Sequence, residues 1–178
     1  LGIGPKHIHK VVGVVKAYAT RVGEGPFPTE LTDETGNRIR EIAHEYGATT
    51  GRPRRCGWLD LAVIKYAVQL NGLDCIALTR LDILDSFDEI KICTGYRHNG
   101  QMLREFPASL KVLADVEPVY ETLPGWKADT TMCRRFEELP EKCREYVERI
   151  GEVAGARVGI ISVGPERDHT IVREKMFQ

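Results

Sequence analysis

Leu59–Asp82 reads LDLAVIKYAVQLNGLDCIALTRLD, and this stretch decides the fold. Leu59, Ala62, Val63, Tyr66, Ala67 and Leu70 recur at the spacing of one helical face, which predicts an amphipathic helix over Leu59 to Leu70. Asn71-Gly72 ends it, since glycine enters the left-handed conformation that closes a helix. Cys75 to Leu78 follows as a compact apolar strand and opens into Thr79-Arg80-Leu81-Asp82, a polar loop. A helix feeding a strand that ends in polar residues is the unit of a layered α/β fold.

The same grammar extends on both sides. Upstream, VVGVVKAY (Val11 to Tyr18) is rich in valine and reads as a buried strand, and GEGPFPTE (Gly23 to Glu30) is a bent, partly rigid loop. Ile39, Ile42, Ala43 and Tyr46 give a short amphipathic helix from Arg38 to Tyr46, and Gly47 to Gly57 forms a second loop. Downstream, Glu89 to Gly95 is a strand, and Asn99-Gly100, between Tyr96 and Met102, is a hairpin signal. Pro107, Pro118, Pro124 and the sequence ETLPGW read as irregular connection with short extended pieces.

Leu139-Pro140-Glu141 starts the longest helix, with Cys143, Tyr146, Val147, Ile150 and Val153 on its apolar stripe and a stop near Gly155. Arg157 to Val163 is a further apolar strand that ends in Gly164-Pro165, and Thr170 to Arg173 adds a last one. The fold expected is α/β, a mixed sheet flanked by helices with an antiparallel hairpin portion. In such sheets ligands collect at the carboxyl ends of strands. The loops after Tyr18, Leu78 and Ile161 are therefore placed to hold one.

The chain has 178 residues, 42% of them hydrophobic and 29% charged, so one core of ordinary size is expected, without a separate second domain. With 25 basic against 26 acidic side chains the net charge is -1, which argues against a surface that binds nucleic acid or membrane as a whole. No apolar run is long enough to span a bilayer and no leader opens the sequence, which points to the cytoplasm. The five cysteines are odd in number and widely spaced, so neither a disulfide framework nor a zinc site is indicated. His7 and His9 share a face if extended but have no third ligand near them. The first residues, Leu1-Gly2-Ile3-Gly4-Pro5, read as the inside of a loop of something longer.

Against that neutral background one loop stands out. Thr49-Thr50-Gly51-Arg52-Pro53-Arg54-Arg55 concentrates three guanidiniums and two hydroxyls around a glycine, the donor set that carboxylate or phosphate requires. The alternative is a solvated basic turn. Asp82, after its strand, can accept two N–H bonds from a guanine edge and would leave lone pairs unmatched against adenine, although an aspartate there is also a common turn former. Ser162-Val163-Gly164-Pro165 offers backbone N–H groups and a hydroxyl at a third strand end, or a plain turn. GxxxxGK[ST], GxSxG and CxxC are not found.

Taken in order, GVVKAYATRVGEGPFPTEL (Gly13 to Leu31), GATTGRPRRCGWLD (Gly47 to Asp60), LTRLDILD (Leu78 to Asp85), PVYETLPGW (Pro118 to Trp126) and SVGP (Ser162 to Pro165) resemble the adenylosuccinate synthetase family, over nearly the whole chain. The resemblance implies that residues 1–178 are the carboxyl-terminal region of such an enzyme and that the sheet is part of a P-loop-NTPase-like one. It implies a GTP-dependent ligase of purine biosynthesis, which phosphorylates IMP at O6 and then lets L-aspartate displace the phosphate. The family's phosphate loop, its catalytic Asp and His and its Mg²⁺ ligands would lie upstream of Leu1, so no catalytic or metal-binding residue is expected here and the isolated chain is expected to be inactive.

Carried onto this sequence, the resemblance assigns the backbone of Val22 to the IMP ribose, and Ala48, Thr49, Thr50 and Gly51 to the aspartate carboxylates. Arg52 would reach aspartate and the IMP ribose, and Arg54 the GTP phosphates or ribose. Arg80, Leu81 and Asp82 would hold the guanine base, with Ser162, Val163 and Gly164 completing its pocket. Arg80 stands where the family commonly has lysine, keeping the charge and long stem and adding a planar group. The partners implied are GTP, IMP and L-aspartate, a cytoplasmic homodimer, and neither nucleic acid nor membrane. Two other readings compete: a non-catalytic nucleotide-binding or dimerisation module, and a nucleic-acid site at Arg52, Arg54 and Arg55, which would show a steep salt dependence.

Overall fold

The valine-rich strand, the strand after the first long helix and the strand after the last helix lie side by side. The computed structural model describes residues 2, 4–103 and 105–173, so Leu1 and Ile3 of the opening segment lie outside the described residues. The strands β1 (Val12–Lys16), β2 (Ala19–Arg21), β3 (Arg55–Gly57) and β4 (Leu59–Asp60) come from the first third, with helix α1 (Glu34–Ala43) before β3. Helix α2 (Leu61–Asn71) leads to β5 (Cys75–Thr79), β6 (Glu89–His98), β7 (Gln101–Met102), the short helix α3 (Leu110–Ala114) and β8 (Glu117–Pro124). Helix α4 (Glu141–Ala154), β9 (Arg157–Ser162) and β10 (Thr170–Val172) complete the order.

The first sheet runs β1-β5-β9-β10. β1, β5 and β9 are parallel, in register at Lys16 with Thr79 and Leu78 with Ile161, and β10 is antiparallel to β9. The second sheet is built on β6, with β4 parallel to it and β7 and β8 antiparallel. β2 and β3 form a separate antiparallel ribbon. The mixed α/β sheet with an antiparallel hairpin portion is therefore present. Asn99 and Gly100 both take positive φ, 50° and 76°, as a two-residue turn between twisted strands requires.

The helices end as their sequences dictate. Asp33 caps α1 by accepting from the Gly36 N–H, Asp60 caps α2 by accepting from Ala62 and Val63, and Gly72 and Gly155 close α2 and α4 in the left-handed region. α4 packs on α2, β8 and β9, burying Cys143, Tyr146, Val147 and Ile150 against the sheet, and the Tyr146 hydroxyl donates to the Ala17 carbonyl at 2.7 Å. The buried apolar side chains of both sheets and these helices form one continuous cluster.

Three expectations change. The region containing ETLPGW is regular: β8 is eight residues long and pairs with β6 from Glu89 opposite Pro124 to Arg97 opposite Glu117. Its prolines mask it as a loop, but among the described residues β8 pairs on one side alone, and prolines fit the outer edge of a sheet. β1 is not buried; it forms the sheet's edge, and Val14 is 74% exposed. In α2, Leu61 and Ile64 are the fully buried residues, while Val63, Tyr66 and Leu70 of the expected core stripe are exposed. The side of α2 that faces the core is therefore the one carrying Leu61 and Ile64, opposite the stripe expected.

Candidate functional site

Because β1, β5 and β9 are parallel neighbours, the loops after Tyr18, Leu78 and Ile161 leave the sheet at one end. Two groups of residues are assembled around that end.

The first group follows β5 and β9. Arg80 leaves β5 with φ 61°, a conformation that β-carbon-bearing residues adopt only when their surroundings enforce it, and Leu81–Leu84 then coil into a tight 3₁₀ turn. Leu81 is buried as the anchor of that turn. Asp82 Oδ1 is buried without a hydrogen-bond partner among the described residues. Burial raises the Asp82 carboxyl above the usual aspartate range, against the pull of a backbone N–H and the nearby charge of Arg80. An orphaned acceptor of this kind costs free energy unless something donates to it.

Next to it, the turn after β9 is internally tied. The Ser162 hydroxyl donates to the Gly164 carbonyl at 2.9 Å, and the N–H of buried Val163 donates to the His169 carbonyl at 2.9 Å. A β-carbon on Gly164 would lie 2.2 Å from His169 Nδ1, so the imidazole rests directly on the glycine. His169 Nδ1 is also buried and unpartnered among the described residues. Sequence reading did not find His169, because three residues of turn separate it from the motif it packs on.

The Arg80 guanidinium does not extend freely over this pocket. Its Nη2 donates to the carbonyl of Ala43, the last residue of α1, and its Nε is buried without a partner among the described residues.

The second group is the arginine loop. Its neck is closed by the Arg54 N–H donating to Glu45 O at 2.9 Å and the Gly47 N–H donating to Arg52 O at 2.9 Å, with a further bond from the Gly51 N–H to Gly47 O at 2.8 Å. Gly51 takes φ 63°, which lets the tip fold back. Ala48, Thr49, Thr50, Gly51 and Arg52 stand exposed on this tip. Thr50, Arg52 and Arg54 share a groove of about 610 Å³ with Arg21, Val22 and Gly23, so the TRVG segment and the arginine loop face one space.

The three guanidiniums differ in kind. Arg55 pairs bidentately with Glu30 and donates to the carbonyls of Gly23 and Gly25, pinning the Gly23–Glu30 loop against β3. It is a structural clamp. Arg54 has one arm on Glu45 Oε2 at 2.6 Å, its carbonyl held by Arg40 Nε at 2.8 Å, and its own Nε unpartnered. Arg52 is exposed and forms no ion pair among the described residues. One free guanidinium and one half-free one suit a bounded anion, not the repeated phosphates of a nucleic-acid backbone.

Sequence reading also missed Glu45, which lies under the loop and is 1% exposed. Its Oε1 accepts from Lys16 Nζ and from the Tyr18 hydroxyl, both at 2.6 Å, while Oε2 takes the Arg54 arm. Burial alone would raise this carboxyl, but the three donors outweigh it and hold it down at about 2. A lone glutamate four residues before a TTGR tip carries no sequence signal; the three residues it joins come from β1, the turn after β1 and the position just before β3.

The site is an α/β segment whose strand-end loops carry a buried, unpartnered carboxylate oxygen on one side and an arginine loop on the other. The sequence family described as adenylosuccinate synthetase matches residues 1–171. The chain belongs to the adenylosuccinate synthetase family. It is 58% identical to the adenylosuccinate synthetase of Heliobacterium modesticaldum and 56% identical to that of Trichlorobacter lovleyi, in each case over 99% of this chain and 41% of the relative. The solved structure of the fully ligated adenylosuccinate synthetase from Plasmodium falciparum superposes with a TM-score of 0.93 at 44% identity, covering 98% of this chain and 42% of that one. The chain thus spans about two fifths of the length of the curated relatives it matches.

Proposed function

We propose that residues 1–178 form the carboxyl-terminal region of a GTP-dependent ligase of purine biosynthesis, the part that holds L-aspartate and guanine. In the whole reaction the γ-phosphate of GTP moves to O6 of IMP, and the aspartate amino group then displaces phosphate, giving adenylosuccinate, GDP and inorganic phosphate. The observation that carries the reading is the buried, unpartnered Asp82 Oδ1 at the end of β5, flanked by the turn of Ser162, Val163 and Gly164. Guanine N1–H and N2–H₂ supply two donors to one carboxylate; adenine offers an acceptor at the same place.

In this reading Ala48, Thr49, Thr50 and Gly51 take the aspartate carboxylates with hydroxyl and backbone donors. Arg52 bridges aspartate and the IMP ribose, the Val22 backbone meets that ribose, and Arg54 reaches the GTP phosphates or ribose with the donors Glu45 leaves free. The stems of Arg80 and Leu81 bound the base. Among the described residues no cluster of three or more His, Cys, Asp or Glu is arranged to hold a metal ion, and in this reading the Mg²⁺ donors belong to the rest of the enzyme. The segment orients substrates and removes water from them; the groups that move protons belong to the rest of the enzyme, which also supplies the homodimer.

Two measurements test this. The 178-residue chain, given GTP, IMP, aspartate and Mg²⁺, is expected to form no adenylosuccinate, whereas joining it to the portion of the Heliobacterium modesticaldum relative that it does not cover is expected to restore turnover. In that joined enzyme Asp82→Asn is expected to weaken GDP binding roughly 10- to 100-fold, the range for a charged hydrogen-bonded pair, and to reduce preference over ADP. Unchanged GDP affinity in the variant would reject the guanine assignment.

A further inference from the structure

We propose that Glu45 is the positioning residue of the arginine loop: it touches no substrate, but aims Arg54 and fixes the loop neck to β1. The inference rests on the reading of that loop as an anion site. Glu45 meets Arg54 twice, its carbonyl accepting the Arg54 backbone N–H at 2.9 Å and its Oε2 accepting Arg54 Nη1 at 2.6 Å. One residue thereby sets both the backbone position of Arg54 and the direction of its guanidinium.

The other oxygen is equally committed. Oε1 takes Lys16 Nζ from β1 and the Tyr18 hydroxyl from the turn that follows, so the carboxylate is immobile in its own site. At 1% exposure there is no water layer to soften these contacts, and the charge-assisted bonds hold in a region of weak screening. Three donors surround one anion, Lys16, Tyr18 and Arg54, and Arg40 in turn holds the Arg54 carbonyl.

The geometry specifies what the arrangement accomplishes. An arginine free in solution must give up several rotamers to grip a phosphate or carboxylate, and a planar guanidinium fixed along one edge presents its remaining N–H groups already aimed. With Nη1 taken and Nε buried, Arg54 keeps its Nη2 end for a contact from one side. Glu45 thus limits Arg54 to one partner and one approach direction. A glutamine there keeps the shape but replaces one acceptor with a donor that faces a cation.

The experiment uses the joined enzyme described above. Glu45→Gln and Arg54→Gln are made singly and together, with Glu45→Asp as a second probe that keeps the charge but is too short to span Lys16 and Arg54. Thermal unfolding and circular dichroism identify which variants are folded. Glu45→Gln is expected to raise KM for GTP about tenfold or more, to change kcat less than threefold and to leave KM for IMP unchanged. In the Arg54→Gln background the same substitution is expected to change KM for GTP less than twofold, because Glu45 acts through Arg54.

Inorganic pyrophosphate binding, followed by calorimetry on the same proteins, reads the loop independently of turnover. If the joined enzyme fails to turn over while pyrophosphate binding still depends on Glu45 only when Arg54 is present, the ligase reading falls and the positioning role stands. Additive losses in the double variant, or no pyrophosphate binding by the parent, overturn the positioning role. If Glu45→Gln does not fold, Glu45→Asp carries the same comparison and the same two outcomes.

Discussion

Asp82 and Glu45 are two carboxylates that their surroundings shift in opposite directions. Asp82 is held above its ordinary range by burial, so its proton-free state, the one the proposed guanine contact needs, is lost as pH falls toward that raised value. Glu45 runs the other way. Its folded value near 2 lies below the ordinary 4.5, so it stabilises the fold above pH 4.5, and this contribution disappears as pH falls through 2. The difference corresponds to roughly 3 kcal/mol for a residue so buried. Urea unfolding of the joined enzyme between pH 5 and about 2 is expected to show this loss, and Glu45→Gln is expected to flatten the dependence by about one proton's worth. An unaltered slope in the variant would show that the Lys16, Tyr18 and Arg54 bonds do not hold the carboxyl down.

Among the elements, the mixed α/β sheet and the positions of the three strand-end loops were legible because apolar runs, glycine stops and polar strand ends each have a direct physical cause. β8 was not legible. Its prolines conceal a strand that only tertiary pairing with β6 reveals, and its end is fixed by a contact no sequence pattern shows. A β-carbon on Gly125 would lie 1.8 Å from the Phe87 carbonyl oxygen, and the Gly125 N–H donates to Asp88 O at 2.7 Å. Gly125→Ala is therefore expected to destabilise the fold by about 1–3 kcal/mol or more, read as a lowered urea midpoint with little change in m-value. The site divides similarly. The arginine loop and Asp82 stood out by residue type, whereas Glu45 and His169 matter only through what folds over them.

At the scale of the molecule, the unexpected exposure of β1 and α2 is one feature. Val12, Val14 and Val15 of β1 and Val63, Ile64 and Ala67 of α2 line a largely apolar groove of about 880 Å³, and the outer edge of β1 has no strand beside it among the described residues. An open edge with an apolar face invites another chain. The 178-residue chain on its own is expected to associate as its concentration rises, and Val14→Lys, placed on that edge, to shift sedimentation toward the monomer. A parent that stays monomeric at the highest soluble concentration would remove the groove as a sticky face. Joining the missing portion of the enzyme is expected to suppress association without that substitution.

The bond from Arg80 to the Ala43 carbonyl gives the two halves of the site a shared mechanical joint, since Ala43 is two residues from Glu45. On the proposed function, the loop assigned to the base and the loop assigned to the anion are consequently not separate modules that can be redesigned one at a time. An engineer who replaces Arg80 to alter nucleotide choice also releases the end of α1 on which Glu45 and the arginine loop are mounted. Retuning which nucleotide is accepted would then bring with it a change in how firmly its phosphates, or an amino-acid substrate, are held.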